Sequence, residues 1–158
     1  MSHTLHRRTF LKGSLAAGTL GVAVSAGLLT PQTVLAAWNE KAFHAKKADK
    51  ALSAAFGSGK TEASEKIKIK APDIAENGAV VPVTVSSDLP GVENIAILSS
   101  ANNTPLLAVY NLGKNTKADV SCRIKMAKTG DVIAVVKAGG KLYANRKGVK
   151  VTIGGCGG

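Results

Sequence analysis

Short segments of alternating polar and apolar residues run from residue 66 to residue 153, and this period of two constrains the fold more than any other feature. Lys66-Ile67-Lys68-Ile69-Lys70 is the clearest example. Successive side chains of a β-strand point to opposite faces of a sheet, so each such segment predicts a strand with one buried face. The predicted strands are Lys66–Lys70, Val80–Val85, Asn94–Ser99, Leu106–Tyr110, Asp119–Met126, Asp131–Lys137, Lys141–Asn145 and Val149–Ile153.

Turn-forming residues separate the predicted strands, among them Pro72-Asp73, Glu76-Asn77-Gly78 and Gly139-Gly140. Proline, glycine, asparagine and aspartate favour tight reversals of the chain. Seven or eight short strands at this spacing predict a mainly β fold, an immunoglobulin-like antiparallel β-sandwich over residues 60–153. Pro82 removes a backbone donor, which predicts that its strand lies at a sheet edge or carries a bulge, and a charge-poor edge is a docking surface for another chain.

Residues 37–57, before the strands, have a helical period instead. Asn39 is suited to cap a helix, apolar residues recur at helical spacing up to Phe56, and Gly57 supplies a C-terminal stop. We therefore predict one amphipathic helix from Asn39 to Phe56. His44 lies in this segment and is the last histidine of the chain, and a lone histidine is more typical of a surface or packing residue than of a ligand.

Residues 1–36 are predicted to be an export signal. Arg7-Arg8 precedes Phe10-Leu11-Lys12, and residues 13–39 carry no charge. A positive start, an apolar stretch and a small-residue end make a secretory signal, and the adjacent arginines indicate the twin-arginine type. Cleavage after Ala36 leaves a periplasmic protein without membrane attachment. The alternative is an uncleaved anchor, since residues 13–39 are long enough to span a bilayer.

Composition excludes several functional classes. The chain has 21 Lys and Arg residues against 10 Asp and Glu, and three of these bases lie in the predicted signal, so the mature chain stays basic. Aromatic residues make up only 4%, and no basic run exceeds two residues, which predicts no nucleic-acid binding. Three histidines and two cysteines leave little material for a metal site, and we predict neither a metal nor a cofactor.

The two cysteines have different surroundings. Cys122 shares the apolar face of its predicted strand with Val120, Ile124 and Met126, which favours a small buried hydrophobe over a disulfide partner. Cys156 instead lies among four glycines in the last five residues. Glycines offer no side chain to pack and lose much entropy on ordering, so residues 154–158 are predicted to form a mobile arm that spans about 17 Å when extended.

The thiol of Cys156 is therefore a candidate for functional sulfur chemistry. An intermolecular disulfide and a bridge to Cys122 are the alternatives. Carboxylate pairs, metal-ligand spacings, phosphate-binding glycine loops and Ser/His/Asp sets do not occur in the mature sequence. The sequence thus predicts a carrier rather than an enzyme.

The terminal segment Val149-Lys150-Val151-Thr152-Ile153-Gly154-Gly155-Cys156-Gly157-Gly158 resembles the C-terminal signature of the SoxY family, the sulfur carriers of the periplasmic thiosulfate-oxidising (Sox) system. The segment Ile74-Ala75-Glu76-Asn77-Gly78-Ala79-Val80-Val81-Pro82-Val83-Thr84-Val85 and the twin-arginine leader are similar as well. The resemblance therefore extends over nearly the whole chain.

This resemblance implies a role for each terminal residue. Cys156 is the covalent attachment site for thiosulfate-derived sulfur, and Gly154, Gly155, Gly157 and Gly158 form a swinging arm. In the family, a c-type cytochrome joins thiosulfate to the cysteine and a hydrolase releases sulfate. Some organisms then use a sulfane dehydrogenase on the remaining persulfide.

The same resemblance implies a heterodimer with SoxZ, a small β-sandwich partner. Cys122 departs from the usual single-cysteine arrangement of the family, which leaves a redox side role or a dead-end disulfide open. The alternative function is a non-catalytic exported sandwich that is cross-linked to another chain through Cys156.

Overall fold

A computed structural model of the chain describes residues 39–154. The predicted signal peptide, residues 1–36, and the terminal residues 155–158, which include Cys156, lie outside the described residues. The elements of the described part are α1 Glu40–His44, α2 Ala48–Phe56, β1 Glu62–Ala63, β2 Ile67–Lys70, β3 Ile74–Asn77, β4 Val81–Ser87, β5 Val92–Ser99, β6 Leu106–Asn111, β7 Asp119–Ile124, β8 Gly130–Ala138 and β9 Lys141–Ile153.

The strands form two sheets. The larger sheet has the order β1-β9-β8-β5-β6, with β3 paired to the far part of β9, and the smaller sheet has the order β2-β4-β7. This mainly β architecture confirms the predicted sandwich. Most neighbours are antiparallel, but β1 and β3 both run parallel to β9, which the sequence analysis did not predict.

The core lies between the two sheets. The alternation of β4 buries Val81, Val83 and Val85, which pack against Ile95 and Ile97 of the larger sheet. Full burial of one such aliphatic side chain stabilises the fold by about 1.5–3 kcal/mol. The period of two in the sequence therefore corresponds directly to the inner face of the smaller sheet.

The larger sheet is buried on both faces over part of its area. Ala96 and Leu98 of β5 point away from the smaller sheet and pack in a second cluster with Ala51 and Leu52 of α2. A strand covered on both faces reads as a continuous apolar run instead of an alternation. This explains the run from Ile95 to Leu98, which carries no polar residue.

The predicted single helix is divided in two. Ala45 after α1 is extended, with φ −62° and ψ 135°, and the chain reverses before α2. The predicted caps are confirmed: the Asn39 side chain accepts a hydrogen bond from the Ala42 amide, and Gly57 adopts φ 80°. Asn39 also donates to the Ala54 carbonyl oxygen at 2.7 Å, so one side chain joins both helices.

Two further strand assignments differ from the sequence prediction. The segments predicted as separate strands at 141–145 and 149–153 form one continuous strand, β9, which pairs with β8 from Lys141 to Val149. Conversely, Glu76 and Asn77 were predicted to lie in a turn but belong to β3. The sequence gives little sign of this short strand because its partner in β9 lies more than 70 residues further along the chain.

The edge prediction for the Pro82 strand is wrong for the strand as a whole, because β4 lies between β2 and β7. The ladder nevertheless accommodates the proline. Strand β2 ends at Lys70, opposite Thr84, so Pro82 aligns only with Arg123 of β7. Pro82 therefore lies in the part of β4 that β2 no longer pairs with, where its missing amide hydrogen costs no hydrogen bond to β2. Among residues 39–154, no helix has the length and hydropathy needed to cross a membrane.

Candidate functional site

Gly154 is the last described residue, so the structure defines the base of the terminal segment but not Cys156 itself. The base is the end of β9. On one side, β9 pairs in parallel with β3, with Asn77 aligned to Ile153. The Gly78 amide donates to the Ile153 carbonyl oxygen at 2.8 Å, and the Thr152 hydroxyl donates to the Glu76 carbonyl oxygen at 3.0 Å.

The other side of β9 has no strand beyond Val149, because β8 begins at Gly130. The Thr129 side chain takes the place of a strand there. Its hydroxyl accepts from the Val151 amide at 2.9 Å and donates to the Val151 carbonyl oxygen at 3.3 Å. The end of β9 is therefore held from both sides as far as Val151, and from the β3 side as far as Ile153.

Apolar side chains are exposed around this base. Ile153 is 62% exposed and Val80 is 52% exposed, and both lie next to Asn77, which aligns with Ile153 and accepts a hydrogen bond from the Val80 amide. Ile74, at the start of β3, is 58% exposed. These are the large exposed aliphatic side chains of the described part of the chain; Ile153 and Val80 lie beside the point where the terminal segment leaves the sandwich, and Ile74 lies three residues earlier along β3.

Three lysines lie next to the base, together with one exposed carboxylate, Glu76 of β3, whose backbone bonds Thr152. Lys125 and Lys128 are exposed on the segment that follows β7, on either side of Ala127, and Lys150 is exposed on β9. Within residues 39–154 none of these three lysines has an acidic group within 4.0 Å. Free ammonium groups near the base favour an anionic partner surface or cargo.

Cys122 carries a free thiol and lies on the inner face of β7 with Val120 and Ile124. It is half-buried rather than fully buried, because β7 is the outer strand of its sheet. Its neighbour across the sandwich is Tyr110 of β6. Burial, a hydrogen bond with Cys122 and the charge of the ionised thiol raise the pKa of Tyr110 to about 12.

A cleft at the opposite end of β9 contains Lys60, Lys137 and Lys141. Two of these lysines are paired. The Lys137 ammonium lies 2.9 Å from a Glu93 carboxylate oxygen, and this hydrogen bond lowers the pKa of Glu93. The Lys141 ammonium lies 3.2 Å from a Glu62 carboxylate oxygen, which raises the pKa of Lys141. These contacts leave the cleft little free positive charge.

The described residues contain no cluster of three or more His, Cys, Asp or Glu side chains that could hold a metal ion. The sequence predicts the inner-face position of Cys122, which the structure shows. It does not predict the contacts at the end of β9, where Thr129 bonds Val151 and the Ala127 carbonyl lies beside Gly154. The motif Lys128-Thr129-Gly130 reads only as a turn, and no sequence signal distinguishes a threonine that bonds a distant strand.

The fold and site define a class of protein: a two-sheet sandwich whose last strand is anchored on both sides and continues directly into a glycine-rich terminus with one cysteine. The family model "Sulfur oxidation protein SoxY" matches residues 52–156. The chain belongs to the SoxY family, which confirms the resemblance seen in the sequence.

One solved structure agrees with this assignment. The sulfur carrier protein SoxY from Chlorobium limicola f thiosulfatophilum is 51% identical, with a TM-score of 0.62 over 72% of this chain and 99% of that one. Two other structures are too distant to bear on function. The bacterial superantigen toxic shock syndrome toxin-1, from a study of T cell activation, is 10% identical with a TM-score of 0.39 over 54% of this chain and 98% of that one. The human F-spondin reeler domain is 12% identical with a TM-score of 0.37 over 56% of this chain and 92% of that one. A search of curated proteins gives no match.

Proposed function

We propose that this protein is a periplasmic sulfur carrier of a Sox system, which holds thiosulfate-derived sulfur covalently on Cys156 and presents it to separate enzymes. The observation that carries the proposal is that the family match runs to residue 156, the cysteine itself. The similar Chlorobium protein is a sulfur carrier and shares half of its residues with this chain. On this proposal the protein is a non-catalytic subunit, and the chemistry belongs to its partners.

The proposed cycle begins with an oxidation. The Cys156 thiol and the outer sulfur of thiosulfate form a sulfur–sulfur bond, giving Cys–S–S–SO3⁻, one proton and two electrons, and a c-type cytochrome accepts the electrons. A hydrolase then adds water, which releases sulfate and a proton and leaves a persulfide on Cys156. A sulfane dehydrogenase, where present, oxidises the persulfide with three water molecules to Cys–S–SO3⁻, releasing seven protons and six electrons that a c-type cytochrome accepts. Hydrolysis then releases a second sulfate and a proton and regenerates the thiol.

The terminal glycines suit this role because nothing but hydrogen flanks the cysteine on either side. An arm without side chains fits narrow pockets in several unrelated enzymes. Covalent attachment also keeps each intermediate at a high effective concentration for the next enzyme, because it cannot diffuse away. The free lysines near the base of the arm, Lys125 and Lys128, would favour the anionic cargo electrostatically.

The proposed SoxZ-like β-sandwich partner requires a docking surface, and β6 is the best candidate. Residues 94–113 carry no charge, and in the described part of the chain the outer edge of β6 pairs with no strand. Half-buried Leu107, Tyr110 and Leu112 line this side with Cys122. Depletion of charge and enrichment of tyrosine are typical of the core of a protein interface.

Intact-mass spectrometry tests the carrier proposal. The mature protein is incubated with a c-type cytochrome of a Sox system, with and without thiosulfate. We expect an added S2O3 group that depends on thiosulfate and maps to Cys156, and its loss in Cys156→Ser but not in Cys122→Ser. A thiol that stays unmodified, or a protein dimer linked through Cys156 as the main product, would contradict the proposal and favour a cross-linked structural module.

Export by the twin-arginine route is tested separately by changing Arg7-Arg8 to a lysine pair.

A further inference from the structure

The sequence groups Gly154 with the other terminal glycines of the arm. We propose that Gly154 is instead a positioning residue, whose contact with Ala127 fixes the point and the direction from which the Cys156 segment leaves the sandwich. The tether that carries the sulfur then begins at Gly155. This inference rests on the proposed carrier function and divides the terminal glycines into one that packs and three that link.

Space, and not backbone conformation, requires glycine at position 154. The φ angle of Gly154 is outside the left-handed region that favours glycine, unlike those of Gly57, Gly91, Gly139 and Gly140. A β-carbon built on Gly154 would lie 2.7 Å from the Ala127 carbonyl oxygen. Comfortable contacts between such atoms begin at about 3.5 Å, so even alanine cannot fit unless one of the two segments moves.

The Ala127 segment is held in place. The Asn102 side chain accepts a hydrogen bond from the Ala127 amide at 2.9 Å and donates to the Lys125 carbonyl oxygen at 2.7 Å. Between these two residues, the Met126 amide donates to the Gly78 carbonyl oxygen at 2.7 Å. The carbonyl that faces Gly154 therefore belongs to a segment fixed by three hydrogen bonds from other parts of the chain.

The β9 side of the contact is fixed as well. Gly78 bonds to both segments that meet at Gly154, because its amide donates to Ile153 while its carbonyl accepts from Met126. Two residues before Ile153, the Thr129 hydroxyl forms two hydrogen bonds with the backbone of Val151. The hydrogen bonds of Gly78 and Thr129 form a ring around the end of β9, but this ring reaches only to Ile153. Because Gly154 lies beyond it, while three hydrogen bonds hold residues 125–127, a β-carbon on Gly154 would displace the end of β9 rather than Ala127.

A fixed Gly154 shortens the tether. Only Gly155 lies between the anchor and Cys156, so the Cα atom of Cys156 stays within about 7 Å of that of Gly154. A receiving enzyme must then approach the exposed Ile153 and Val80 closely. With so short a tether, the direction in which the Cys156 segment leaves the sandwich decides how many collisions with a receiving enzyme are productive. A variant that loses this fixed direction is therefore expected to change the KM for the loaded carrier more than kcat.

The first test measures amide order parameters for residues 149–158 of the mature protein by NMR relaxation. We expect values of about 0.85 through Gly154 and below about 0.6 from Gly155 onward, as for rigid and flexible backbone. Gly154→Ala is expected to lower the values back to Val151, whereas the matched control Gly155→Ala leaves the profile unchanged. A smooth decay from Val149 in the parent, or an unchanged profile in Gly154→Ala, would overturn the inference.

Thr129 variants keep the test decisive if Gly154→Ala does not fold. Thr129→Val removes both hydrogen bonds at nearly constant volume, and we expect it to loosen residues 151–153. Thr129→Ser retains the hydroxyl and is expected to restore the parent profile. Equal profiles for these two variants would overturn the role assigned to the ring around β9.

Kinetics with the sulfate-releasing hydrolase separate positioning from stability. We expect Gly154→Ala to raise the KM for the loaded carrier roughly threefold or more with kcat unchanged. A fall in kcat at constant KM would overturn the inference. Mass spectrometry of loading separates this inference from the carrier proposal: if thiosulfate loads no variant on Cys156, the proposed function fails while the relaxation result stands.

Discussion

Replacing Asn102 with alanine is expected to destabilise the protein by about 2 kcal/mol. The Asn102 side chain forms two hydrogen bonds, of 2.7 and 2.9 Å, to residues 23 and 25 positions further along the chain. Each hydrogen bond contributes about 1 kcal/mol net, and the part-buried Ala127 amide is left without its partner. The bond to the Lys125 carbonyl oxygen is exposed, so water recovers part of its contribution.

Urea denaturation of the mature protein measures this loss. With a denaturant slope of about 2 kcal/mol/M, a destabilisation of about 2 kcal/mol lowers the midpoint by about 1 M. Asn103→Ala is the matched control, because Asn103 is the exposed neighbour and forms no side-chain hydrogen bond within the described residues. Its effect is expected to stay within about 0.5 kcal/mol. Equal midpoints for the two variants would refute the role assigned to Asn102.

Four further outcomes are expected. Cys156→Ser folds and binds its partner but takes up no thiosulfate, and thiosulfate-dependent electron transfer in this variant would contradict the carrier role. Maleimide reacts more slowly with half-buried Cys122 than with Cys156, and peptide mapping of the labelled sites checks the order. In a Tyr143→Phe background, an absorbance titration is expected to show Tyr110 ionising near pH 12 rather than 10. Because the folded pKa of Tyr110 is raised, the stability that this residue contributes is complete below pH 10 and is lost as the pH rises towards 12, which unfolding curves at each pH measure. Leu107→Lys weakens capture of the SoxZ-like partner by about tenfold while Leu107→Ala has a smaller effect, and equal affinities would place the partner elsewhere.

The sequence predicts those strands that have one buried face. Val81, Val83 and Val85 alternate with polar or exposed neighbours because only the inner face of β4 meets the core. The layer formed by α1 and α2 on the larger sheet was not predicted, although the run from Ile95 to Leu98 signals a strand covered on both faces. An apolar helix face indicates that the helix packs, but it does not indicate which sheet covers it.

The sequence likewise predicts only part of the candidate site. Composition alone makes Cys156 the candidate residue, since four glycines around one thiol offer no side chain against which it could pack. Composition cannot separate Gly154 from Gly155, because the two are chemically identical and the Ala127 carbonyl beside Gly154 leaves no trace in the sequence. Contacts such as those of Thr129 and Asn102 join residues more than 20 positions apart, and single residues of this kind leave no period in a sequence.

If enzymes hold the protein by its terminus, as the proposed function requires, the continuity of β9 has a mechanical consequence. A pull on the end of the chain acts along the axis of this strand, whose ladder with β8 runs from Lys141 to Val149. Force in that direction loads the ladder in shear, so its hydrogen bonds resist together instead of opening one at a time. Withdrawal from a tight pocket would therefore extend the glycine tether and leave the sheet intact.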